Sequence, residues 1–216
     1  LGAVPPTLMM RDHPYAPFID RVHKPAQYLG GEQGESRKDW EAASSRICLA
    51  FPDLYEIGMS HLGYKILYDI VNKQPDLLAE RAYAVWPDME SELRQRDQAL
   101  CSLESARSLR EFDVLGFSLQ YELTYSNILQ ILELGKVPLR SAERSETDPL
   151  VVAGGPTATH AEPMAAFIDV FLAQSADESA STSALEVVGQ VDAPAAVQTR
   201  VQRALVAVLV APGTRE

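Results

Sequence analysis

Asp53-Leu54-Tyr55-Glu56-Ile57-Gly58 sets a carboxylate, a phenol and a glycine at the spacing Asp-x-Tyr-x-x-Gly, directly after the apolar run Arg46-Ile47-Cys48-Leu49-Ala50-Phe51. A phenol with a pKa of roughly 10 is neutral at ordinary pH and a poor metal ligand unless deprotonated. Asp53 is expected to bond either Tyr55 or a backbone N–H. Two further words have ligand-holding character. Ser118 lies at the end of Asp113-Val114-Leu115-Gly116-Phe117-Ser118-Leu119, with Gln120 next, and Gly154-Gly155-Pro156 follows Leu150-Val151-Val152-Ala153. A strand-end serine offers a fixed donor and acceptor, and glycines let a backbone approach a flat ligand closely. No residue here is assigned a catalytic role.

These words need a scaffold that brings three loops together. Arg46–Phe51, closed by Pro52, reads as a strand, as do Arg81–Trp86, Asp113–Leu119, Leu150–Ala153 and Val170–Leu172, with a short one at Leu100–Leu103. Between them, Ser60–Asn72 has helical spacing at Leu62, Ile66, Leu67, Ile70 and Val71, with Ser60 as N-cap. Asp88–Gln98 reads as a charged surface helix. Thr124–Leu134 reads as a helix capped by Gly135, and Met164–Phe167 as a short one. Alternating strands and helices predict an α/β fold with a doubly wound, mainly parallel sheet. Ligands bind such sheets at the strand C-termini, where the loops 52–58, 118–123 and 154–160 would converge. The predicted organisation is an irregular, proline-rich arm over 1–45, a domain over 46–172, and a low-complexity linker with a possible C-terminal helix over 173–216.

Composition narrows the partners. A net charge of −11 argues against nucleic acid, and no apolar run approaches a membrane span. Cys48 and Cys101 make no disulfide framework and read as small core hydrophobes in a reducing, cytoplasmic setting. No secretory signal is visible in residues 1–10, and the chain begins at Leu1, as a fragment or processed product would.

Several long words resemble the N-terminal, cobalamin-binding part of a family of cobalamin-dependent radical SAM proteins. They are Lys24-Pro25-Ala26-Gln27-Tyr28-Leu29-Gly30-Gly31-Glu32, Phe51–Gly63, Asp113–Glu122 and Val151–Pro156, together spanning roughly 24–172. The resemblance implies a Rossmann-like (flavodoxin-like) domain whose cofactor-binding residues are Asp53, Tyr55, Glu56, Gly58, Ser118, Gln120, Gly154, Gly155 and Pro156. In that pattern Tyr55 stands where a cobalt-ligating His is expected, Ser118 matches the serine that bonds the benzimidazole tail, and Gln120 replaces a Leu. It therefore implies cobalamin bound tail-out without a protein imidazole. His61 does not fit the ligand spacing and is read as a capping or helix-surface residue. Tyr121, Glu122, Tyr125, His160 and Glu162 are candidates to line the pocket.

The resemblance also implies a [4Fe-4S] cluster and S-adenosylmethionine, but in a catalytic domain following the cobalamin domain. With only Cys48 and Cys101, this chain lacks the Cys-x-x-x-Cys-x-x-Cys cluster site. It is expected to position cobalamin for methyl, radical or electron transfer by a radical SAM domain or subunit elsewhere, and to catalyse nothing alone. Ala173-Gln174-Ser175-Ala176-Asp177-Glu178 departs from the family's Gly-rich continuation and suggests a truncated, split or altered end. The alternative is a degenerate flavodoxin-like module that holds no cofactor and serves in structure or protein interaction.

Overall fold

A computed structural model describes residues 12–174 and the strand at 185–190. Six strands form one sheet in the order β2-β1-β3-β4-β5-β6. They are β1 (Ser45–Leu54), β2 (Leu77–Ala84), β3 (Val114–Ser118), β4 (Leu150–Gly154), β5 (Val170–Gln174) and β6 (Leu185–Gln190). The first five are parallel, and β6 pairs antiparallel to β5. The α/β, Rossmann-like expectation therefore holds. The strand at Leu185–Gln190 falls within the segment read as a low-complexity tail. The helix expected within 195–210, most of the 173–184 linker and residues 1–10 lie outside the described residues.

Burial explains why β1 reads as a continuous apolar run. Its side chains from Ile47 to Pro52 are all buried, since both faces of the sheet are covered. Alternate residues divide between two cores. Ile47, Leu49 and Phe51 pack with Tyr64, Tyr68 and Val71 of the helix α2 (Leu62–Lys73). Cys48 and Ala50 face the larger core, which contains Met89 and Leu93 of α3 (Pro87–Gln95) and Ile128, Ile131 and Leu132 of α4 (Tyr125–Leu134). Both cysteines are buried free thiols, and burial pushes each above its ordinary pKa. Gly135 closes α4 as expected.

Five local expectations change. Pro52 does not end β1: the strand continues to Leu54 because the β1–β2 register shifts between Phe51 and Leu54, and a bulge tolerates the missing N–H. The buried stripe of α2 is Tyr64, Tyr68 and Val71, at spacings of four and three, and leaves Leu62 and Ile66 exposed. Its N-cap is His61, not Ser60, because the His61 ring accepts the Tyr64 N–H at 3.2 Å. Leu100–Leu103 makes only a single bridge, Cys101 to Ser108; the Leu103 N–H instead bonds the Arg81 carbonyl at 2.9 Å on the outer side of β2. Met164 falls in a 3-10 turn, Glu162–Met164, rather than at the start of a helix.

The arm is ordered against the sheet over its described part. Tyr15, Phe18, Ile19, Val22 and Tyr28 are buried in the larger core, and two 3-10 turns, Ile19–Arg21 and Pro25–Tyr28, lead the chain across it.

Candidate functional site

The C-terminal ends of β1, β3 and β4 lie side by side, with β3 in the middle. Ser118 pairs directly with Gly154, so the serine and the glycine pair share one edge. From β1 the chain passes into a single helical turn, α1 (Tyr55–Gly58). Two contacts tie the β1 and β3 loops together. The Tyr121 hydroxyl donates to the Asp53 carboxylate, which raises the phenol pKa, and the Asn127 amide donates to the Pro52 carbonyl at 3.0 Å. Asp53 also accepts the Leu54 N–H at 2.8 Å. Of the two partners expected for Asp53, the backbone N–H is present, while the aromatic one is Tyr121 rather than Tyr55.

Tyr55 turns the other way, toward β2. Its hydroxyl donates to Glu32, and its ring packs edge-on against Tyr83 at 5.4 Å. Glu32 is also ion-paired with Arg81 at 2.8 Å, and Arg81 reaches Glu104 at 2.6 Å. Burial and the Glu32 acceptor push the Tyr55 phenol up to about 12. It is therefore a neutral donor committed to a carboxylate. Burial pushes Glu104 up to about 7 against the pull of Arg81. Desolvation opposes the charge on Arg81, but Glu104 and Glu32 outweigh it and keep the guanidinium ionised.

Glu32 ends the word Lys24–Glu32, and the structure gives that word a position. Lys24 pairs with Glu56, Tyr28 accepts the Trp86 N–H at 3.3 Å, and Glu32 meets Tyr55 and Arg81. The segment is a strap across the β1–β2 end of the sheet edge. Sequence reasoning named Tyr121 as a candidate to line the pocket but missed Glu32, Arg81 and Glu104 as members of this region. The available signal was Glu80-Arg81, two charges inside a strand whose residues are all buried.

The motif glycines have structural reasons of their own. A Cβ on Gly58 would lie 2.4 Å from the Tyr83 ring, so the turn after β1 needs glycine to pass beneath that aromatic. Gly155 has φ +126°, and a Cβ there would lie 2.5 Å from the Leu119 carbonyl oxygen. Gly154 has no such need, since its nearest neighbour would be the Leu172 carbonyl at 3.5 Å. Pro156 starts a 3-10 turn, Pro156–Thr159, which leads the chain away from the edge.

Ser118, Gln120 and His61 form a chain: Gln120 Nε2 donates to Ser118 Oγ at 2.6 Å, and Gln120 Oε1 lies 3.2 Å from His61 Nε2. Glu122, His160 and Glu162 are exposed, Tyr125 is half-buried, and the His160 side chain hydrogen-bonds its neighbour Thr159. Ile57, Leu62 and Leu123, close in sequence to His61 or Gln120, are exposed. No cluster of His, Cys, Asp or Glu able to hold a metal occurs among the described residues, and no described helix is long and apolar enough to cross a membrane.

Residues 63–208 match the family described as radical SAM proteins, N-terminal. That match covers about two thirds of the chain, takes in Ser118, Gln120 and the glycine pair, and continues past Leu172. No curated protein and no solved structure matches the sequence. With the match and the parallel α/β sheet together, the chain belongs to the N-terminal-domain family of radical SAM proteins.

Proposed function

We propose that this domain binds cobalamin across the C-terminal ends of β1, β3 and β4, with the nucleotide tail detached from cobalt, and presents it to a radical SAM catalytic domain or subunit. The observation that carries the reading is the pairing of Ser118 with Gly154 beside the Asp53–Gly58 turn, which gathers three of the four resembling words on one edge. The residues suit such a ligand. Gly154 offers a strand end without a side chain, Ser118 offers a hydroxyl, and the turn after β1 closes the side of the site.

Tyr55 fits this reading only as a non-ligand. A phenol held neutral by burial and engaged with Glu32 has no anionic oxygen to give a metal. When bound, cobalamin would supply a cobalt centre for methyl or electron transfer. This chain's own share is to seat the ring, fix the tail through Ser118, and close the β1–β2 side with the strap. The radical step belongs to cysteines that this sequence does not contain.

The test is gel filtration of the purified protein with hydroxocobalamin, followed by visible spectroscopy of the protein fraction. Co-elution is expected for the wild type and for Tyr55→Phe, with matching spectra. No retention by the wild type overturns the reading in favour of a cofactor-free interaction module. A Tyr55→Phe spectrum displaced from the wild type overturns the absence of a protein ligand.

A further inference from the structure

We propose that His61 and Gln120 are positioning residues that occupy one lone pair of Ser118 and leave its hydroxyl proton for a ligand, so that this end of the site favours a hydrogen-bond acceptor, such as an unprotonated ring nitrogen of a flat heteroaromatic group. The inference rests on the cobalamin reading above for the ligand, but its directional argument comes from the contacts alone.

The direction is set at the start of α2. The backbone N–H of Tyr64 points at His61 Nδ1, 3.2 Å away, and a backbone N–H can only donate. Nδ1 is therefore unprotonated, and the ring carries its proton on Nε2. Nε2 faces Gln120 Oε1 at 3.2 Å and donates to it. The opposite amide orientation would set N–H against N–H. With its oxygen taken by His61, Gln120 turns its NH2 to Ser118 Oγ at 2.6 Å. Ser118 is thus the acceptor of that bond, and its own proton is left to point elsewhere. Among the described residues no acceptor takes it.

Two features keep the chain in this state. The His61 ring packs at 5.2 Å, tilted by 45°, against Phe51, a fully buried residue of β1. Ser118 is the last residue of a strand paired on its other side to Gly154, which fixes its backbone. A Leu in place of Gln120, as the resembled pattern has it, would leave the serine free to rotate. Gln120 thus occupies one lone pair of the hydroxyl and keeps its proton available to a ligand acceptor.

The contrast between Gln120→Glu and Gln120→Leu tests this. A carboxylate only accepts, so the glutamate variant would draw the Ser118 proton to itself and reverse the chain; the leucine variant would only release it. His61→Asn keeps an N-cap acceptor for Tyr64 but does not reach Gln120. Affinity is measured by spectral titration with hydroxocobalamin and with cobinamide, a corrinoid lacking the benzimidazole tail. The expected result is a loss of about tenfold for hydroxocobalamin in Gln120→Glu, only a few-fold in Gln120→Leu and His61→Asn, and no change for cobinamide. Unaltered hydroxocobalamin binding by Gln120→Glu, or an equal loss for cobinamide, overturns the proposal. Nitrogen-15 NMR of the His61 ring in the wild type reads the relay without any ligand. A proton on Nε2 supports it, and a proton on Nδ1 overturns it. Should the wild type bind neither corrinoid, the ligand reading fails while this tautomer still decides the relay.

Discussion

Replacing Gly154 and Gly155 separately by Ala separates what the fold needs from what a ligand needs. At Gly155 a side chain meets two obstacles. The backbone, at φ +126° and ψ −177°, lies in a region open almost only to glycine, at a cost of roughly 1–3 kcal/mol for another residue. The added methyl would also lie 2.5 Å from the Leu119 carbonyl oxygen, which accepts the Thr157 N–H at 3.3 Å, so the loop must shift; enforced overpacking costs about 1–3 kcal/mol. Alanine returns less than about 1 kcal/mol by restricting the unfolded chain. A net loss of about 3 kcal/mol lowers Tm by roughly 6–12 °C for a chain of this size. At Gly154 the methyl would sit 3.5 Å from the Leu172 carbonyl, an ordinary contact, and stability should stay within about 1 kcal/mol of the wild type. Circular-dichroism melts of the two variants measure the difference. Equal melting temperatures for Gly155→Ala and the wild type would refute the strain argument, as would a Gly154→Ala variant that melts with Gly155→Ala.

Two further predictions concern the ionic group beneath the strap. Glu104 has a folded pKa of about 7, raised from 4.5, so its contribution to stability is complete below pH 4.5 and is lost as pH rises through 7. The interval corresponds to about 3 kcal/mol, so urea unfolding at pH 5 and pH 8 should show the wild type losing about that much relative to Glu104→Gln; parallel pH profiles would disprove it. Glu32→Ala removes the carboxylate shared by Tyr55 and Arg81, a charge-assisted bond worth about 1.5–3 kcal/mol. Amide exchange across residues 24–35 should then speed up by tenfold or more while the β3–β4 amides keep their protection, and unchanged exchange in the strap would rule out this anchoring role.

What was legible in the sequence follows from the range of the interactions. Strands buried on both faces, such as Ile47–Phe51, carry their signal in consecutive residues and were readable. The face of α2 was not, because its buried stripe is built from Tyr64 and Tyr68, and tyrosine weighs less than Leu62 or Ile66 in any apolar pattern. Tyr64 is nonetheless buried because its hydroxyl finds the Leu49 carbonyl at 2.8 Å. Leu100–Leu103 looked like a strand for the converse reason: its residues are buried, but as an edge cover, with Ser102 bonded to the buried Glu80 and the Leu103 N–H on Arg81. The site residues were readable as words and not as contacts. The partners of Tyr55, Asp53 and His61 lie 23, 68 and 59 residues away, and no local spacing encodes such pairs.

The same distances explain what the tyrosine in Asp53-x-Tyr55-x-x-Gly58 does. An imidazole at position 55 would depend on a nearby carboxylate to fix its tautomer, and Asp53 is the neighbour placed for that work. Here Asp53 faces the β3 side and holds Tyr121, while Tyr55 faces the β2 side and holds Glu32. The two residues of one motif thus serve two separate joints, one closing the β1 and β3 loops and one locking the strap to Arg81 and Glu104. A phenol suits the second joint because it reaches Glu32 as a neutral donor and brings no second positive charge beside Arg81, as a protonated imidazole would. Tyr55 is therefore tied to Glu32, and the strap and the aromatic residue form one structural unit between the arm and the sheet.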